Sequence, residues 1–103
     1  MKKESRKIQR FAVQLPCRLS NDEGMSQGTV LNLSAQGCAV TAENLPSIST
    51  YVSLEVDLLS GEASIHIELA AVRGVYERRC GLEFIRIQPG MLMNLRAFTR
   101  VLT

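Results

Sequence analysis

The sequence predicts an all-β fold, a six-stranded antiparallel barrel with a C-terminal α-helix. Three observations carry that prediction. Apolar and polar residues alternate with period two in short runs between Phe11 and Phe84. Clusters of Gly, Asn, Asp, Pro and Ser separate the runs. After Pro89-Gly90 the apolar period lengthens to three or four residues. The chain has 103 residues, which suits one domain with one core. Trp is absent and aromatic residues make up 5%, so that core must be aliphatic.

The first strand is expected over Phe11 to Leu19, with Phe11, Val13, Leu15, Cys17 and Leu19 on one face. Pro16 has no backbone donor, which predicts an edge or a bulge at that point. Turn chemistry follows in N-D-E-G, 21 to 24. A second strand is expected over Gly28 to Leu33 and a third over Cys38 to Thr41, with N-L-S-A-Q-G, 32 to 37, at their junction. E-N-L-P-S, 43 to 47, breaks the sheet before the Tyr51 to Leu58 run, which faces Val52, Leu54, Val56 and Leu58 inward. Ser60-Gly61 makes the next turn. A long strand over Ser64 to Tyr76 turns Ile65, Ile67 and Leu69 inward; its pattern blurs at Ala70 to Val72, and Gly74 marks a bulge or bend. Glu77 to Arg79 is a charged hairpin turn, and Cys80, Leu82 and Phe84 mark the sixth strand. Leu92, Leu95, Phe98 or Thr99, and Leu102 line one side of a helix of about three turns. Closing six short strands into a barrel removes exposed sheet edges. The expected division is a flexible basic arm over 1–10, a barrel over 11–87 and a terminal helix over 89–103.

A net charge of +2 is too small for bulk nucleic-acid binding. The positive charge is concentrated, however: Lys2, Lys3, Arg6, Lys7 and Arg10 face only Glu4 in the first ten residues. Such an arm is either a solubilising flank or a grip for a small anion. Cys17, Cys38 and Cys80 are odd in number and irregular in spacing, which speaks against a disulfide framework or a zinc site. His66 lies in a strand pattern with no catalytic partner nearby, and no phosphate-binding glycine motif occurs. No enzymatic activity, metal or cofactor is therefore expected. An apolar leader and an 18-residue apolar stretch are both lacking, so the expectation is a cytoplasmic protein without membrane insertion.

Two segments concentrate the remaining chemistry. Arg6 and Arg10 stand four apart, and a guanidinium offers a rigid fork of donors that matches phosphate and stacks on flat bases. Asn32 can read a purine edge or brace its own turn. Ser34 can bond a phosphate or the turn backbone, and Gly37 offers positive φ and close approach of a planar ligand. Each segment alone also fits an ordinary flank or turn.

Together, R-x-x-x-R at 6 to 10 and N-x-S-x-x-G at 32 to 37 resemble the signature of the PilZ domain family. Gly81-Leu82-Glu83-Phe84 is similar to the end of that family's late strand pair, so the resemblance spans essentially the whole chain. The resemblance implies a six-stranded barrel with a terminal helix that binds cyclic di-GMP, a bacterial second messenger. It implies that Arg6 and Arg10 grip phosphate and stack on guanine, that Asn32 and Ser34 bond a guanine edge or phosphodiester, and that Gly37 lets the ligand lie close. Ser5, Lys7 and Arg73 are further candidates. Arg18, Glu55 and Arg79 are candidates by charge or position only. Ser5 stands where an extra arginine goes with a paired ligand in the family, which favours one ligand per site. The implied function is an effector whose arm folds over the nucleotide and signals to a downstream protein. Two other classes compete: a nucleotide-independent interaction module docking through the helix face at Met91, Met93 and Arg96, and a single-stranded nucleic-acid binder. The second needs a positive groove with several stacking aromatics, and Phe11 and Phe84 read as core.

Overall fold

The computed structural model describes residues 9–59 and 64–102. Ser5, Arg6, Lys7 and the expected turn at Ser60-Gly61 lie outside the described residues. Six strands and one helix follow in order: β1 Phe11–Asn21, β2 Gly24–Leu33, β3 Gly37–Ala42, β4 Tyr51–Val56, β5 Ile65–Tyr76, β6 Arg79–Arg86 and α1 Pro89–Val101. All pairings are antiparallel, and the ring closes in the order β1-β2-β3-β6-β5-β4, with β4 returning to β1. This is the all-β barrel with a terminal helix that the periodicities predict.

The alternation of β1 sends Leu15, Cys17 and Leu19 inside and leaves Gln14, Pro16 and Arg18 exposed. Pro16 keeps register with Thr29 of β2, so the bulge expected at the proline is displaced. The irregularity falls between Ala12 and Leu15 instead. The missing donor of Pro16 is tolerated because the β1–β4 ladder begins just beyond it, at Cys17 opposite Val56. Its carbonyl accepts from the Asp57 N–H at 2.9 Å.

β2 starts four residues earlier than its apolar pattern suggests. Asn21 pairs with Gly24, leaving Asp22-Glu23 as a two-residue hairpin loop. Asn21 Oδ1 accepts from the Glu23 N–H at 2.9 Å and holds the loop. Met25 and Gln27 are exposed, so this half of β2 is fixed by the hairpin and not by burial.

In β5 the inward face is interrupted twice. Register shifts lie between Ile67 and Ala70, against β4, and between Val72 and Gly74, against β6. They explain why Ala70, Ala71 and Val72 are buried in succession while Leu69 is only half-buried. The second shift leaves Arg73 as an extra residue on the outer wall.

Leu15, Leu33, Leu54, Ile65, Ile67, Val72 and Leu82 are among the residues that fill the barrel. The three cysteines are free and buried among them. Burial pushes the Cys17 thiol up to about 11, and raises Cys38 and Cys80 as well. All three therefore stay protonated and behave as small hydrophobes. The helix starts at Pro89, whose fixed φ suits the first helical position. It packs on β5 and plugs Leu95, fully buried, into the core, with Phe98 packed alongside. Among the described residues no helix is long and apolar enough to cross a membrane.

On the outer wall Arg18 and Glu55, opposite one another on β1 and β4, form an ion pair. Both side chains are substantially exposed, and such pairs contribute little to stability. Glu55→Gln is expected to change unfolding free energy by less than about 1 kcal/mol, read by urea denaturation.

Candidate functional site

The junction of β2 and β3 is built by Ser34. The residue is 3% exposed. The Oγ accepts from the N–H groups of Gln36 and Gly37 at 3.1 and 3.2 Å. It donates to the Gly37 carbonyl at 3.3 Å, and that carbonyl also accepts from the Ser34 N–H at 2.9 Å. One donor and two acceptor positions exhaust what a hydroxyl offers. Ser34 therefore braces the turn, the backbone role open to it in the sequence. Ser34→Ala is expected to cost about 1–2 kcal/mol in thermal or urea unfolding, because it strips two turn N–H groups of their acceptor.

The turn is further tied to β6 by the Phe84 N–H donating to the Gln36 carbonyl at 2.9 Å. Gly37 then runs directly beside β6, opposite Glu83. A Cβ there would lie 2.4 Å from the Leu82 carbonyl oxygen and 3.1 Å from Arg10 Nη2. Gly37 does not adopt positive φ; among the described glycines only Gly24 does. The expectation of left-handed backbone at Gly37 is thus corrected. The position needs glycine because a strand backbone and an arginine occupy the space a side chain would fill.

Asn32 is placed by a bulge. Val30 pairs with Val40 and Asn32 with Ala39, so Leu31 is an extra residue that re-aims Asn32. Its Oδ1 accepts from the Ala39 N–H at 3.0 Å and from Arg10 Nη1 at 3.3 Å. The Asn32 amide nitrogen has no partner among the described residues. Arg10 enters just before β1, and Ala12 opposite Asn32 fixes how close it comes. The arginine and asparagine, 22 positions apart, thus meet on the outer wall at the end of β1 and β2.

Arg73 lies two strands further round, on β5. Its Nε donates to Glu83 Oε1 at 2.7 Å, with side-chain exposures of 59% and 54%. Glu83 is the site residue that sequence reading missed. Its position opposite Gly37 depends on the β3–β6 pairing, which joins segments 46 positions apart and leaves no local signal. Arg18 and Glu55 pair with each other on β1 and β4, away from this cluster in the strand order, and Arg79 is exposed opposite Thr41. Among the described residues no group of three or more His, Cys, Asp or Glu could hold a metal ion.

Fold and site define a small β-barrel module with an arginine-bearing outer wall. Residues 4–100 match the PilZ domain family, and the chain belongs to that family. PilZ domains are non-catalytic ligand-binding and signalling modules. The Bacillus subtilis inhibitor of motility, MotI/DgrA, superposes with a TM-score of 0.79 at 25% identity, over 96% of this chain and 51% of that one. The PilZ domain of Escherichia coli YcgR with c-di-GMP gives 0.81 at 15% identity, over 96% and 92%. Escherichia coli YcgR in complex with c-di-GMP gives 0.78 at 18% identity, over 94% and 45%. The chain thus spans about half the length of MotI/DgrA, and less than half of the longer YcgR chain. No curated protein matches it.

Proposed function

We propose that this chain binds cyclic di-GMP on the outer wall of the barrel and reports occupancy to a partner protein. One observation carries the reading: Arg10 is held over Gly37 by Asn32, with its guanidinium at the surface turn where both signature segments meet. Two structural relatives, the YcgR PilZ domain and the longer YcgR chain, hold c-di-GMP.

In this reading Arg10 bonds a phosphate through its forked donors and stacks on a guanine face. Asn32 offers its amide nitrogen, without a partner among the described residues, to an acceptor on the guanine edge. Gly37, lacking a side chain, lets Arg10 lie against the strand, so that a ligand gripped by Arg10 lies close to the barrel wall. Ser34 positions the turn from below. Arg6 supplies a second guanidinium from the arm over 1–10, with Lys7 adding charge and Ser5 at its start. The arm closes over the ligand, and that closure is the signal passed from the barrel over 11–87 to a downstream protein.

Calorimetric titration of the full chain with cyclic di-GMP tests the proposal. Saturable binding at one nucleotide per chain is the expected result. No heat and no shift of the arm's NMR resonances at about 100 μM ligand, a concentration that reveals any useful affinity, would sink it.

A further inference from the structure

Glu83 is out of place in a site meant for an anion. It sits on β6 directly opposite Gly37, and the space over Gly37 is held by Arg10. Residues opposite one another in an antiparallel pair have Cβ atoms about 5 Å apart. A carboxylate therefore stands beside the guanidinium that is to receive a phosphate. Among the described residues its ion pair is with the other neighbour, Arg73 of β5. Across β3, β6 and β5 the outer wall thus carries Arg10, Glu83 and Arg73 in sequence. The outer strands of this row are separated by two strand spacings, roughly 10 Å. A cyclic dinucleotide carries two phosphates, so the row has one arginine for each and a carboxylate between them.

Arg73 also has the freedom to change partners. It is the extra residue of the β5 bulge, without a cross-strand partner of its own. Gly74 and Gly81, paired beside it, leave the wall open: a Cβ on either would meet nothing within 4 Å. Both members of the ion pair are more than half exposed, and exposed pairs are easily exchanged for a stronger anion.

We propose that Glu83 stands in for the ligand's second phosphate: it holds Arg73 ready in the empty site and yields it when the nucleotide binds. This rests on the proposed cyclic di-GMP site and adds a self-competing anion to it. Glu83 lowers affinity, by occupying Arg73 and by repelling the dianion. It also keeps an otherwise unpaired cation from taking up other small anions.

The test is a double-mutant cycle at positions 73 and 83, read by calorimetry with cyclic di-GMP at low salt. Glu83→Gln is expected to tighten binding by about threefold to tenfold. Arg73→Gln is expected to weaken it by a similar factor. In the Arg73→Gln background, Glu83→Gln should recover far less than it gains in the parent, because no arginine is left to release. Melting curves establish that all four proteins fold. Two results overturn the inference: Glu83→Gln binding no tighter than the parent, or the same gain with and without Arg73, which would make Glu83 a bystander charge. Failure of the underlying site looks different, since the parent itself then takes up no nucleotide.

Discussion

At the proposed site, Arg10→Ala is expected to lower the affinity for cyclic di-GMP by about 100-fold, the equivalent of losing two charge-assisted hydrogen bonds. The size of the effect follows from how the side chain is held. One end of the guanidinium is fixed on Asn32 Oδ1 at 3.3 Å, and the other lies 3.1 Å from where a Gly37 side chain would begin. A cation already oriented at the wall loses little freedom on binding, so most of its interaction appears as affinity. Arg10→Lys should recover only part of the loss, because an ammonium keeps the charge but not the fork. Titration calorimetry measures both. Arg10 lies outside the aliphatic core, so the melting temperature of Arg10→Ala should stay close to that of the parent. Affinity equal to the parent's would remove Arg10 from the site.

Gly37→Ala strikes fold and site together. The added Cβ falls 2.4 Å from a carbonyl oxygen of β6, a separation that real side chains do not sustain. Either β3 moves off β6 or the turn braced by Ser34 deforms, and each displaces Arg10. Overpacking of this kind costs about 2–3 kcal/mol, a fall of roughly 10 °C or more in melting temperature for a domain of this size. Nucleotide affinity should fall with it. Gly81→Ala is the control for stability, since its Cβ would enter open space on the same wall. A Gly37→Ala protein as stable as Gly81→Ala would contradict the steric account.

What could be read in the sequence was whatever repeats locally. The runs through Leu15, Cys17 and Leu19, and through Val52, Leu54 and Val56, alternate because one face is buried, and they mark their strands. The helix at Pro89 was equally plain, since Leu92, Leu95 and Phe98 change the period. The first half of β2 was hidden because Met25 to Gln27 are held by a hairpin, with no buried face to show. Arg10 and Asn32 were paired by resemblance to a family signature; their contact depends on bulges at Ala12–Leu15 and Val30–Asn32 that leave no mark in composition. At Ser34 and Gly37 the spacing could be read along the chain, but the surroundings could not. Burial of a hydroxyl and the nearness of a strand 46 positions away are facts of the closed ring, invisible along the chain.

The resting partner of Arg10 has a consequence of its own. Asn32 is an amide, so it steers the guanidinium with a dipole and adds no second carboxylate to the one at Glu83. At the proposed site an anion therefore reaches Arg10 without separating an ion pair at position 32. A carboxylate at position 32 would instead hold Arg10 in such a pair. Position 32 thus sets how much of the charge of Arg10 is left for the proposed ligand.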